Sequence, residues 1–214
     1  MVQDLLLISY AWILTFIWQW LALPWLITWF KHRSLTAGWA FGRLLVWMVL
    51  SLFIWFTAHL GLPTNTPAMI WLLLLVMGFL SYRQWQVVKP VVSDWIKVSR
   101  WSIFCQEILF LVGFFGLSLV RTYQPNMMDL EKFMDAGLMI AYWRSPTLPL
   151  QDMWLAGQNF NYYTFGHFLG AIVSQFWGIE IRYSYNLLLG LICGLVLMES
   201  FAVVADLVVD HEKT

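Results

Sequence analysis

Residues 101–135 read W-S-I-F-C-Q-E-I-L-F-L-V-G-F-F-G-L-S-L-V-R-T-Y-Q-P-N-M-M-D-L-E-K-F-M-D. From Trp101 to Val120 the run is apolar except for Ser102, Gln106, Glu107 and Ser118. That is the length, roughly 20 residues, that an α-helix needs to cross a hydrocarbon core about 30 Å thick. At Arg121 the character changes at once to amides, acids and a proline. A membrane-crossing helix that delivers the chain into a polar external segment is the reading that sets the fold.

Five further runs of the same kind lie on either side. Expected spans are residues 5–30, 39–60, 68–82, 101–120, 165–181 and 186–209, with Pro24 inside the first and His167 and Gln175 interrupting the fifth. The whole is an all-α polytopic transmembrane helix bundle of about six spans. It carries a long external loop, residues 121–164, containing an amphipathic helix.

Composition agrees. Of 214 residues, 61% are hydrophobic and 11% charged, with mean hydropathy +0.70. A soluble domain carries about 45–50% apolar and about 25% charged residues. Fifteen Trp, sixteen Phe and eight Tyr suit the two interfaces of a bilayer, where amphipathic rings collect. Twelve basic and twelve acidic residues, without a block of either sign, provide no basic stripe for a phosphate backbone, so nucleic acid is excluded as a partner. Cys105 and Cys193 both sit in apolar runs and read as small packing residues. The start, Met1-Val2-Gln3-Asp4, has an acid where a secretory signal has positive charge, so a cleavable leader is not expected.

Orientation follows Lys and Arg, which accumulate on the cytoplasmic side. Lys31, Arg33, Arg43, Arg83, Lys89, Lys97, Arg100 and Arg182 fall on one side of the expected spans; Arg121, Lys132, Arg144 and Lys213 fall on the other. The bias places residues 121–164 on the external side of an integral protein of the cell (plasma) membrane. Gly166 with Gly170, and Gly190 with Gly194, have the spacing that lets helix backbones approach closely in lipid. Glu107, Glu199 and Asp206 are acids at membrane depth, where a charge is costly and faces a partner or a water-filled cavity.

The external segment holds the polar chemistry. Pro125 and Asn126 introduce a helix, Asn126 as its cap and Asp129 three residues on. Leu130, Phe133, Met134, Gly137 and Ala141 share one face, and Glu131, Asp135 and Tyr142 another, as in a helix lying on the membrane surface. Glu131 and Asp135, at i and i+4, are neighbours on one turn. They read either as a solvated face balanced by Lys132 and Arg144, or as a general base and its partner or metal ligands. Pro146, Pro149 and Gly157 mark ordered turns. Residues 159–167, N-F-N-Y-Y-T-F-G-H, gather amide, phenol, hydroxyl and imidazole groups that suit a sugar ring, or else form an aromatic interface belt.

The segments E-K-F-M-D (131–135), R-S-P (144–146), D-M-W-L-A-G (152–157) and N-Y-Y-T-F-G-H (161–167), with L-A-L-P (21–24) and Q-E-I-L-F (106–110), resemble the YYY family of polytopic membrane proteins. Thr164 stands where that family has its third tyrosine, and family members are usually longer, with further spans. The family is grouped with the GT-C glycosyltransferases, which take sugar from a polyprenyl-phosphate lipid. The resemblance implies Asp135 as the base that deprotonates the acceptor hydroxyl and Glu131 as its partner. It implies the same two acids as ligands of a divalent cation (Mg or Mn), Arg121 and Arg144 as donor-phosphate contacts, and Asp152 as a second acid. Asn161, Tyr162, Tyr163 and His167 would line the sugar and acceptor pocket. The competing expectation is a non-catalytic accessory or structural subunit, or half of a split enzyme, whose membrane-protein partner supplies further spans. A transporter finds support only in Glu107 and Glu199.

Overall fold

The computed structural model of the chain describes residues 2–30, 37–126, 130–160, 162 and 164–211. Seven helices follow one another among them: α1 (Val2–Phe30), α2 (Ala37–Ala40), α3 (Gly42–His59), α4 (Pro67–Tyr123), α5 (Leu130–Arg144), α6 (Thr164–Trp177) and α7 (Ile181–His211). No strand forms among the described residues; one antiparallel bridge pairs Gln151 with Asn159. Lys31, Arg33, Asp129, Asn161, Tyr163 and Lys213 lie outside the described residues.

Five stretches are long and apolar enough to cross a membrane: Val2–Phe30, Gly42–His59, Pro67–Lys97, Ser99–Tyr123 and Ile181–Val208. The protein is an all-helical integral membrane protein. The stretch expected as a fifth span, residues 165–181, is not among them. Its helix α6 has 14 residues, about 21 Å at 1.5 Å per residue, which falls short of the core thickness. Phe168 and every residue from Gly170 to Trp177 are buried, so α6 is enclosed by protein from Gly170 onward instead of facing lipid.

The residues between the expected third and fourth spans are also helical, so that α4 runs for 57 residues from the Thr66 cap. It is not straight. Leu21 of α1 lies against Gly78 and Trp12 of α1 against Phe115, yet Trp12 and Leu21 are only about 14 Å apart along their helix. Gly78 and Phe115 would be about 55 Å apart on a straight one. Side chains cannot bridge that difference, so α4 bends between them. Pro90 lies in the interval and breaks the hydrogen-bond ladder there.

The chain divides into two compact units, residues 1–46, 76–123 and 189–214, and residues 47–75 and 124–188. In the first, Gly190 and Gly194 act as their spacing suggests. A Cβ on Gly113 would lie 2.7 Å from the Gly194 Cα, and one on Gly190 would lie 2.7 Å from the Phe114 carbonyl oxygen. The other pair is divided: Gly170 admits Met139 and Leu188 closely, whereas Gly166 has open space beside it.

Glu107 has its partner here. Arg43, expected in a loop, is fully buried in the first turn of α3. Its Nη1 and Nη2 donate to Glu107 Oε1 and Oε2, each at 2.9 Å, and Trp39 Nε1 donates to Oε1 at 2.6 Å. The guanidinium stacks over Phe110 at 4.0 Å and faces Phe16 at 5.4 Å. Glu199 keeps a buried carboxylate oxygen without a hydrogen bond among the described residues.

Candidate active site

The second unit contains the acid-bearing helix. On α5, Ala136, Leu138, Met139 and Tyr142 are buried, and Asp135 lies on their side one turn before Met139. That side packs on α6. Met139 enters the space left by Gly170, and Tyr142 meets Phe168 edge-on at 5.6 Å. The two helices run in the same direction: Asp135 meets His167, Met139 meets Gly170, and the Trp143 carbonyl accepts from Gln175 at 3.2 Å. The segment between them must therefore travel back along α5.

At the start of this pair the chemistry converges. His167 Nε2 and Asp135 Oδ1 are 2.9 Å apart, and Tyr185 of α7 donates its hydroxyl to Asp135 Oδ2 at 3.4 Å. The carboxylate is about one-third exposed and the imidazole half as much. Asp135 is thus both oriented from the protein side and open to a substrate, which is the arrangement a general base needs. Tyr142, one helical face with Asp135, is buried, and burial pushes its phenol up to about 12, partly offset by a hydrogen bond with Thr164. Thr164, in place of a third tyrosine, also opens α6.

The other expected site residues fall elsewhere. Glu131 is exposed, one turn before Asp135, and has no partner among the described residues. Arg144 is nine residues beyond Asp135, so it stands about 14 Å further along α5 and on the opposite face. The structure does not bring it together with Asp135. Arg121 closes α4 in the first unit. Asp152 works as a turn former: its Oδ1 accepts from the backbone N–H of Trp154 at 2.8 Å and of Leu155 at 3.1 Å. The bonds from Asp152 N to Gln158 O and from Phe160 N to Leu150 O then close a tight hairpin with Gly157 in the left-handed region. Tyr162 is exposed beside Phe160.

Among the described residues no three His, Cys, Asp or Glu side chains could together hold a metal ion. Both oxygens of Asp135 already face His167 and Tyr185, and Glu131 offers a single further carboxylate. A divalent cation here would draw on these two carboxylates, with water or substrate phosphate completing its shell.

Two contributions were not visible in the sequence. Tyr185 reads as one more aromatic at the head of an apolar helix. Asn65, in the loop between α3 and α4, is 2% exposed and donates to the carbonyls of Tyr142 at 2.6 Å and Ser145 at 2.7 Å. With Gln175 it caps the C-terminus of α5 and so holds the helix that carries Asp135.

A partly exposed acid–imidazole pair on two short neighbouring helices, in a chain with five membrane-crossing candidates, defines a membrane protein with a built polar centre. Residues 49–214 match the family described as uncharacterized membrane protein (DUF2298), and the chain belongs to that family. No curated protein and no solved structure matches it.

Proposed function

We propose that the protein is a membrane-embedded glycosyltransferase of the GT-C kind, which uses a polyprenyl-phosphate-linked sugar donor. The contact between Asp135 and His167 carries this reading. Two residues marked separately by the resemblance are brought within hydrogen-bond distance, beside Tyr185. In the transfer, the acceptor hydroxyl gives its proton to the Asp135 carboxylate as its oxygen bonds to the anomeric carbon. The bond from that carbon to the phosphate oxygen breaks, and its electron pair leaves with the polyprenyl phosphate. His167 orients the carboxylate and stabilises the charge changes on it. Because the leaving group is a good one, positioning and activating the acceptor are the main tasks. A role for Arg121 at the donor phosphate, and for Asn161, Tyr162 and Tyr163 at the sugar, rests on the resemblance alone.

The external placement of residues 124–163 belongs to the same proposal. With Arg43 inside the protein and α6 too short to cross, Lys31, Arg33, Arg83, Lys89, Lys97 and Arg100 still outnumber Arg121, Lys132, Arg144 and Arg182.

The test is native mass spectrometry of the gently solubilised protein, beside the Glu131→Gln/Asp135→Asn variant. A bound polyprenyl-phosphate sugar that is lost or altered in the variant supports the proposal. A stoichiometric complex with another membrane protein, and no such lipid in either form, overturns it in favour of an accessory subunit.

A further inference from the structure

The face of α5 turned away from Asp135 holds a second polar feature. Ile140, Trp143 and Arg144 form, with Glu180, Ile181 and Arg182, a cleft of about 310 Å³. Glu180 is bound to Arg182 through Nε at 2.7 Å, which balances one charge of the three. Arg144 has no partner among the described residues, so the cleft carries one uncompensated positive charge. Arg144 is not needed to cap its own helix, because Asn65 and Gln175 already take the carbonyls of residues 142, 143 and 145.

The depth of the cleft follows from the same contacts. Asn65 lies in the short connection between α3, which ends at His59, and α4, which begins at Pro67. Both flanking stretches are membrane-crossing candidates, so their connection sits at a bilayer boundary. Asn65 N donates to the Pro146 carbonyl, and Leu148 N to the Ala58 carbonyl, at 3.1 Å each. Arg144, between these tethers, is therefore at headgroup level. Phe133, Gly137 and Ile140 continue its face of α5 as an apolar stripe, with Phe133 64% exposed and Met153 extending the stripe over Gly137.

We infer that this cleft binds the phosphate headgroup of a lipid, with Arg144 and Arg182 holding the phosphate and the Ile140–Phe133 stripe receiving the start of an acyl or prenyl chain. Guanidinium groups match phosphate oxygens bidentately. An apolar track leading from them selects an amphiphile over a free ion. The site is separate from the Asp135–His167 centre, and its test does not depend on turnover.

The full chain in detergent is titrated with phosphatidic acid, with glycerol phosphate as the same headgroup without chains, and with phosphatidylcholine as a headgroup without net charge, and occupancy is read by native mass spectrometry. One saturable phosphatidic acid site is expected. Arg144→Gln and Arg182→Gln should each weaken it about ten- to hundredfold, as loss of a charge-assisted hydrogen bond does. Arg144→Lys, which keeps the charge without the paired geometry, should lose less than Arg144→Gln, and Asp135→Asn should leave the affinity unchanged. No saturable site, equal binding by both glutamine variants and wild type, or equal binding of glycerol phosphate or phosphatidylcholine would overturn the inference.

Discussion

Replacing Glu107 with Gln tests whether the fold depends on a charge pair enclosed at membrane depth. Arg43 is fully buried, Glu107 is 17% exposed, and the two meet through paired 2.9 Å bonds. Glutamine keeps the shape and one acceptor but strands the guanidinium. Arg43 Nε already lacks a partner, and the remaining neighbours are Met198 sulfur and two aromatic faces. Removing one member of such a pair costs about 3–5 kcal/mol, because the other charge stays buried. The opposite change, Arg43→Met, should cost less: a stranded carboxyl group can take up a proton, whereas a guanidinium cannot give one up. At about 2–4 °C per kcal/mol for a chain of this size, Glu107→Gln should melt roughly 6–20 °C below wild type in detergent. The double variant Arg43→Met/Glu107→Leu should recover most of the loss. If Glu107→Gln melts within about 2 °C of wild type, water reaches Arg43 and the pair is not enclosed.

At the proposed centre, Asp135→Asn should depress sugar transfer about 10²–10⁴-fold with the fold intact, while Tyr185→Phe, which removes only a 3.4 Å bond, should cost less than tenfold. Turnover assays of the two variants decide this, and equal losses would sink the assignment of Asp135 as base. Gly194→Val should destabilise by about 1–3 kcal/mol or more, since its Cβ would sit 2.8 Å from the Phe110 carbonyl oxygen; an unchanged melting point would show that the helices are not in contact there. Tyr142 titrates higher folded than unfolded, so its stabilisation is complete below pH 10 and is lost as pH rises toward about 12. Denaturation between pH 9 and 12 should show a loss that Tyr142→Phe reduces; identical curves would place the phenol in water.

Most of the spans were legible because lipid-crossing length and apolarity are properties of a single run. The exceptions have local causes. Residues 165–181 meet the apolar criterion, but hydropathy does not tell lipid from protein as the surroundings, and α6 is surrounded by protein from Gly170 onward. Arg43 looks like a loop charge because its compensating acid lies 64 residues away. Asp135 and His167 were both singled out, yet their pairing depends on α5 and α6 running in the same direction, which follows from the return path of residues 145–163. Arg144 was grouped with Asp135 by the family resemblance, which carries no geometry. Nine helical residues put them on opposite faces.

The amphipathicity of α5 shows why a pattern alone does not assign a site. Its two faces were separable from sequence, but which face turns outward depends on the medium. In water the face of Glu131 and Asp135 would be exposed and that of Phe133 covered. Here Tyr142, Met139 and Leu138, on the acid side, are buried, while Phe133 is exposed. A helix at a bilayer boundary gains by turning its apolar stripe to lipid, and the carboxylate is then left to find its partners within the protein. His167 and Tyr185 supply them. Burial of Leu138, Met139 and Tyr142 against the protein therefore gives Asp135 an oriented, partly enclosed carboxylate. It also leaves Arg144 on the opposite face, lining a cleft with Glu180 and Arg182.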